Sequence, residues 1–157
     1  MFTIRQVDKP IEKSSICGSI LYALPDWFGN EETNKNSIQK VKEPDDIMFG
    51  AFDDNKAVGF VVLVKHYECT REIALMGVLA EYHRKGIGRS LVAGCEELCR
   101  KDGVKFLTVK TLDSSRECGY YARTRRFYES MGFMPLEVLP KHWDEENPCL
   151  FLVKYLS

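Results

Sequence analysis

The feature that most constrains this chain is a pair of glycines between an apolar run and an amphipathic pattern. The apolar run Ile73 to Leu79 predicts a strand, and Gly86 to Asp102 repeats apolar residues at three- and four-residue spacing, which predicts a helix. Gly86 and Gly88 stand where the loop enters that helix, and glycine allows a ligand close to the backbone. Because the first N–H groups of a helix lack partners and its dipole favours anions, this junction predicts a phosphate-binding site.

Two common phosphate motifs do not fit this junction. A dinucleotide fingerprint needs a third glycine three residues after Gly88, where this chain has Leu91. A P-loop needs Gly-Lys-Ser/Thr after four spacer residues, and that pattern does not occur here. These exclusions disfavour an unrelated nucleotide-binding protein.

Length and charge predict one soluble domain over residues 1–157, with a core of its own. The formal net charge of −1 supplies no overall field for nucleic acid or an anionic membrane. The longest apolar run, Ala57 to Val64, is too short to span a bilayer. The first residues lack the layout of a signal peptide, so we expect a cytoplasmic protein that binds neither nucleic acid nor membrane.

The chain contains six cysteines without a Cys-x-x-Cys pair. Cys95 and Cys99 lie one helical turn apart and could suit a metal, but no histidine is near them in sequence. We therefore expect buried free thiols and no metal site.

Hydrophobic periodicity predicts eleven elements in the order β-α-α-β-β-β-α-β-α-β-β. The strands are Phe2–Val7, Ile47–Asp53, Ala57–Tyr67, Glu72–Leu79, Lys105–Thr111, Phe133–Val138 and Cys149–Leu156. The helices are Pro10–Leu24, Glu31–Lys42, Gly86–Asp102 and Tyr120–Met131. The second helix is polar and predicted to be poorly anchored, and Pro140–Pro148 is predicted to be a loop. The order indicates an α/β protein whose mixed sheet has helices on both faces.

The segment His83-Arg84-Lys85-Gly86-Ile87-Gly88 resembles the acetyl-CoA loop of the GNAT N-acetyltransferases, Gln/Arg-x-x-Gly-x-Gly/Ala. His83 departs from the first position, which in the family contributes mainly a backbone N–H. The element order also resembles the GNAT fold, a mixed and mostly antiparallel sheet, over the whole length. The resemblance implies that acetyl-CoA is the acetyl donor. Its expected contacts are Met76, Gly77, Val78, His83, Arg84, Lys85, Gly86, Ile87, Gly88 and Arg89.

The resemblance assigns backbone roles to Met76, Gly77 and Val78. In the family this strand splays from its neighbour at a bulge, binds pantetheine through free N–H and C=O groups, and holds the thioester oxygen with one N–H. Gly77 fits a backbone that a ligand approaches closely. The alternative is a buried strand with a packing glycine.

Two residues match catalytic positions of the family. Glu72 lies where the histone-acetyltransferase branch has its general base, although it could instead be a solvated carboxylate paired with Arg71. His66, Tyr67 or a chain of waters could take its place as base. Tyr128, in Phe127-Tyr128 before Gly132-Phe133, matches the tyrosine that protonates the departing thiolate, and a phenol is protonated at pH 7. Its alternative is a place in an aromatic helix face.

Acceptor binding is predicted for two loops that hold both tryptophans. Asp26 and Trp27 lie in the first, and Trp143 lies beside three acidic residues in the second. Aromatic surface near carboxylates suits a cationic amine, whereas the alternative is that the tryptophans close the ends of the core. The arginines at 123, 125 and 126 either meet the CoA 3′-phosphate or form a solvated face.

These features favour an N-acetyltransferase that moves the acetyl group of acetyl-CoA to a primary amine by direct attack in a ternary complex. The acceptor would be a small molecule or a peptide. The alternative is a non-catalytic acyl-CoA-binding sensor or regulatory domain. The terminal strand Phe151–Leu156 could also pair across a two-fold axis and give a homodimer.

Overall fold

Seven strands and four helices follow one another along the chain in the predicted order. The computed structural model describes all residues, 1–157. The strands are β1 (Thr3–Val7), β2 (Ile47–Asp53), β3 (Lys56–Tyr67), β4 (Thr70–Val78), β5 (Phe106–Leu112), β6 (Met134–Asp144) and β7 (Asn147–Tyr155). The helices are α1 (Pro10–Tyr22), α2 (Glu31–Lys40), α3 (Ile87–Lys101) and α4 (Gly119–Ser130), and a short 3₁₀ turn spans Ala80–Tyr82.

The strands form one sheet in the order β1-β2-β3-β4-β5-β7-β6. Every neighbouring pair is antiparallel except β4 and β5, which are parallel, so the predicted mixed and mostly antiparallel sheet is confirmed. The parallel ladder joins Thr70–Ile73 only to Phe106–Val109 and then stops. A register shift opposite Val62 and Leu63 leaves Ala74 as an extra residue on β4 at the same point. Beyond Ala74, the β5-facing edge of β4 has no strand partner.

Helices cover both faces of the sheet. A methyl group at Gly77 of β4 would lie 3.0 Å from Ile20 of α1. A methyl group at Gly59, which pairs with Val78, would lie 3.2 Å from Ile87 of α3. Because adjacent strand residues face opposite sides, α1 and α3 pack on opposite faces. None of the helices is both long and apolar enough to cross a membrane.

Helix α2 is held more firmly than its polar sequence predicts. The Asn30 side chain accepts a hydrogen bond from the Thr33 N–H and caps the helix. Asn34 is buried and donates to the carbonyl of Phe28 at 2.9 Å, and Lys40 is paired with Asp46 at 2.8 Å. The prediction of poor anchoring was wrong, because polar contacts rather than an apolar stripe fix this helix.

The prediction of a loop at Pro140–Pro148 is also wrong. Strand β6 continues to Asp144, the chain turns at Glu145 and Glu146, and β7 begins at Asn147. Strand β6 pairs with β7 along one edge, and nearly all of β6 is exposed, so its polar residues meet no apolar layer. We refer to β6, its turn and β7 as the edge hairpin.

Strand β7 is not available for pairing with a second copy. It lies between β5 and β6, so the predicted two-fold contact through Phe151–Leu156 does not fit the sheet. The sheet ends instead at β1 and β6.

Candidate active site

The divergence of β4 and β5 opens a cleft of about 940 Å³. Its walls are the end of β4, the segment from Tyr82 to Arg89, one face of α4, and the segment from α1 into α2. Tyr128 and Trp143 line it together with most of the predicted cofactor contacts. The predicted cofactor contacts on the cleft wall are Met76, Gly77, Val78, His83, Arg84, Gly86, Ile87, Gly88 and Arg89.

The glycine loop presents an uninterrupted run of free backbone donors. The first α3 bond joins the Ser90 N–H to the Gly86 carbonyl at 3.0 Å. The six N–H groups from Arg84 to Arg89 donate to no acceptor in the chain. Gly86 has φ +83° and Arg84 has φ +62°, so two left-handed residues turn successive amides into a concave anion-binding nest.

His83 acts differently from the sequence prediction. Its backbone N–H donates to the Ala80 carbonyl at 3.1 Å and is not free for a phosphate. Its ring Nε2–H instead donates to the Val78 carbonyl at 2.6 Å. The free donors therefore begin at Arg84, and the His83 ring ties the loop to the end of β4.

Four arginines give the cleft a basic wall: Arg84, Arg89, Arg123 and Arg126. Arg125, the third arginine of the α4 group, points away and donates to the Leu112 carbonyl at 2.6 Å. Lys85 does not line the cleft, and its Nζ lies 5.7 Å from the centroid of the Tyr82 ring. The α4 arginines are thus divided between the cleft and a structural contact.

The glycines in the cleft wall also serve packing. A methyl group at Gly77 would lie 3.0 Å from Ile20 and 3.4 Å from Leu24, so the glycine lets α1 and the residues that follow it approach β4. A methyl group at Gly88 would lie 3.2 Å from the Phe127 ring, so this glycine lets α3 approach α4. Helix packing therefore gives a second reason for glycine at these two positions, and their role in ligand approach stays a prediction, whereas Gly86 has open space around it.

Tyr128 lies in the wall facing the glycine loop. The residue is only 5% exposed, and its ring packs edge-on against Phe127 and Phe133. Its hydroxyl makes no hydrogen bond with another residue, and burial raises the pKa of the phenol above its usual value. The hydroxyl therefore keeps its proton at neutral pH and has a donor to give.

Glu72 lies at the start of β4, outside the residues that line the cleft. Its side chain is 12% exposed, and both oxygens are engaged: His66 Nε2 lies 2.6 Å from one and Lys110 Nζ 3.0 Å from the other. Lys110 does line the cleft, so its ammonium group links the Glu72 carboxylate to the cleft wall. The structure does not bring Glu72 next to Tyr128, and its catalytic role stays a prediction.

The structure places two of the three residues predicted to bind the acceptor on the cleft wall. Trp27 and Trp143 line the cleft, whereas Asp26 is exposed and does not. The Trp27 ring packs edge-on against His83 and Tyr120, with centroids 5.6 and 4.8 Å away. Its carbonyl accepts a 2.6 Å hydrogen bond from the Tyr121 hydroxyl. The segment before α2 is thereby joined to both the glycine loop and α4.

Sequence reasoning missed two polar residues of the cleft. Thr111 on β5 is 3% exposed, and its hydroxyl has no hydrogen-bond partner. Tyr121 fixes the Trp27 backbone as described above. Neither lies in a motif, and only the tertiary fold brings β5 and α4 to one wall. No cluster of three or more His, Cys, Asp or Glu residues could hold a metal ion, and all six cysteines are free.

Comparison with known proteins agrees with this geometry. Residues 19–133 match the acetyltransferase (GNAT) family model. An uncharacterised N-acetyltransferase of Chlorobaculum tepidum is 28% identical over 103 residues, which cover 66% of this chain and 59% of that relative. The chain therefore matches less than two thirds of the relative's length.

Solved structures share the fold at low identity. A protein from Desulfovibrio desulfuricans that is assigned to the GNAT family superposes over 100% of both chains, with a TM-score of 0.85 and 19% identity. An aminoglycoside 6′-N-acetyltransferase complexed with coenzyme A gives a TM-score of 0.78 and 19% identity, over 99% of this chain and 97% of that one. With the family model matching most of its length, this chain belongs to the GNAT family of acetyltransferases.

Proposed function

We propose that the chain, as a single domain, is an N-acetyltransferase that transfers the acetyl group of acetyl-CoA directly to a primary amine. The observation that carries the proposal is the pairing, in one cleft, of free backbone donors from Arg84 to Arg89 with a buried Tyr128 ring whose hydroxyl bonds no other residue. A binding domain needs the donors but has no use for the hydroxyl. A phenol held by its ring, with its hydroxyl unused by the fold, is free to donate to a group in the cleft.

Cofactor binding is assigned to the two ends of the cleft. The nest from Arg84 to Arg89 would hold the pyrophosphate, with Arg84 and Arg89 adding charge. Arg123 and Arg126 are placed to meet further phosphate. The open edge of β4 beyond Ala74 would bind pantetheine as an added strand, with one β4 N–H holding the thioester oxygen as charge develops. That a neighbour of the same fold holds coenzyme A is consistent with this assignment.

Acetyl transfer then needs one bond made and one broken. The amine nitrogen attacks the thioester carbonyl carbon, the C–N bond forms, and the C–S bond breaks with its electron pair on sulfur. Tyr128 donates its proton to the departing thiolate and regains one from solvent. The proton lost by the amine leaves through water toward Glu72. The path runs through water because that carboxylate does not line the cleft, whereas its partner Lys110 does. No cysteine is required as a nucleophile.

Thermal unfolding with acetyl-CoA, ATP and NAD tests the cofactor assignment. Acetyl-CoA at about 100 times its Kd should add about 2.7 kcal/mol of stability, and ATP and NAD should add much less. Equal shifts with all three nucleotides would contradict the assignment.

Amine-dependent loss of the thioester absorbance then tests turnover. We prefer this readout to a thiol reagent because Cys69 is exposed and would react. An acetyl-CoA shift with no turnover across a broad amine panel would favour the non-catalytic alternative.

A further inference from the structure

The charges along the cleft are all of one sign. The Lys and Arg residues that line it are Arg84, Arg89, Lys110, Arg123 and Arg126, and no Asp or Glu lines it. The nearby carboxylate of Glu72 is already engaged by Lys110 and His66. The four arginines suit the phosphates of the donor, and no Asp or Glu lines the cleft to pair with an acceptor that carries several ammonium groups.

A second part of the cleft wall is aromatic and neutral, and it adjoins the glycine loop where the Trp27 ring packs against His83. Trp27, Phe28 and Trp143 line it, with Tyr121 behind Trp27. Two of its polar side chains are already used within the fold: Asn30 caps α2, and Asn34 donates to the Phe28 carbonyl. Trp143 keeps 48% of its surface exposed and therefore has contact area to offer.

We propose that the acceptor is a primary monoamine carried on an aromatic group, an arylalkylamine, and that Trp27 and Trp143 are its specificity-determining contacts. This inference rests on the acetyl transfer proposed above. Stacking on the two indoles provides binding energy from the part of the substrate that does not react. Because no carboxylate lines the cleft, its wall offers no counter-charge to a polyamine or another polycation. This absence also replaces the expectation that carboxylates around Asp26 hold a cationic amine.

The first test compares 2-phenylethylamine with spermidine as acceptors at a saturating concentration of acetyl-CoA. We expect kcat/KM for 2-phenylethylamine to exceed that for spermidine at least tenfold. Equal values, or a preference for spermidine, would overturn the inference. If acetyl-CoA raises the melting temperature but neither amine is acetylated, the acceptor class is wrong and the cofactor assignment survives. If acetyl-CoA does not raise it, the proposed function itself fails.

The second test uses tryptophan emission, which does not depend on turnover. The chain has two tryptophans, so Trp27→Phe and Trp143→Phe each leave one reporter in the cleft. With CoA bound, titration of 2-phenylethylamine should change the emission of both single-tryptophan proteins, and spermidine should not. If the enzyme acetylates 2-phenylethylamine but its titration changes neither emission, the assignment of Trp27 and Trp143 as acceptor contacts is refuted.

Discussion

Two glycines at opposite ends of α3 allow the phosphate-binding site to be tested with a matched control. Gly86 precedes the helix with φ +83°, and Gly103 follows it with φ +77°. A methyl group added at either position would meet no atom within 4 Å, so neither alanine variant introduces a clash. The Gly86→Ala and Gly103→Ala variants therefore differ in location and share their backbone strain.

The strain sets the expected loss of stability. An L-residue in the left-handed region costs about 1–2 kcal/mol relative to glycine, so each variant should lose about that much unfolding free energy. For a chain of this length, 1 kcal/mol corresponds to about 2–4 °C in melting temperature. Both variants should melt about 2–8 °C below the wild type, by similar amounts.

The response to acetyl-CoA should separate the two variants. At about 100 times the Kd, the wild type and Gly103→Ala should gain about 2.7 kcal/mol, or about 5–11 °C. Gly86→Ala places a methyl group among the free N–H groups from Arg84 to Arg89, whereas Gly103 lies a helix length of about 22 Å away. A tenfold weaker Kd would reduce the gain of Gly86→Ala to about 1.4 kcal/mol at the same ligand concentration.

Differential scanning fluorimetry measures the shifts, and titration calorimetry gives the Kd of each variant. An equal acetyl-CoA response in the two alanine variants would refute the assignment of the nest to phosphate. Full stability of both variants without ligand would refute the strain argument.

Three further predictions concern catalysis and pH. Tyr128→Phe should lower kcat at least tenfold, while the melting temperature stays equal or rises because the lost hydroxyl has no partner in the fold. Steady-state rates measure the first effect and calorimetry the second. A wild-type kcat would remove Tyr128 from the mechanism. Glu72→Gln should lower kcat about 10²-fold if the carboxylate accepts the amine proton, and an unchanged rate would leave that step to water alone. Burial raises the pKa of the Cys17 thiol to about 12, so the folded protein holds this proton more tightly than the unfolded chain. The associated stability is complete below pH 9 and falls as the pH rises toward 12, by about 1.4 kcal/mol per pH unit. Urea midpoints at pH 8 and pH 10 measure this loss, and identical midpoints would show that Cys17 is not buried as a neutral thiol.

The parts of the fold that follow local periodicity were predictable from the sequence. Strand β2 has the predicted bounds Ile47–Asp53, and α3 differs from its prediction by one residue at each end. Both carry patterns that repeat with the period of the element that forms. Both strands of the edge hairpin were predicted, but the extension of β6 to Asp144 was missed, because an exposed strand needs no alternation of apolar and polar residues and its sequence resembles that of a loop.

The residues of the candidate site also fall into those that a local sequence pattern predicts and those that only the fold brings together. Gly86 and Tyr128 belong to short motifs that can be recognised in the sequence, and both line the cleft. The contact of Glu72 with Lys110 joins residues 38 positions apart and depends on the parallel pairing of β4 with β5. The separate directions of Arg125 and Arg126 depend on where α4 lies against β5, which no local pattern encodes.

The position of Trp143 in the edge hairpin has an evolutionary consequence. Strand β6 pairs only with β7, and nearly all of it lies outside the core. Substitutions in this strand can therefore reshape the wall proposed to meet the acceptor, at little cost to folding. The glycine loop is tied to β4 by His83 and to α4 by the contact of Gly88 with Phe127, so comparable changes there would disturb the donor site. Under the proposed function, an edge strand that can change with the acceptor is thus separate from a loop that must be kept for the donor.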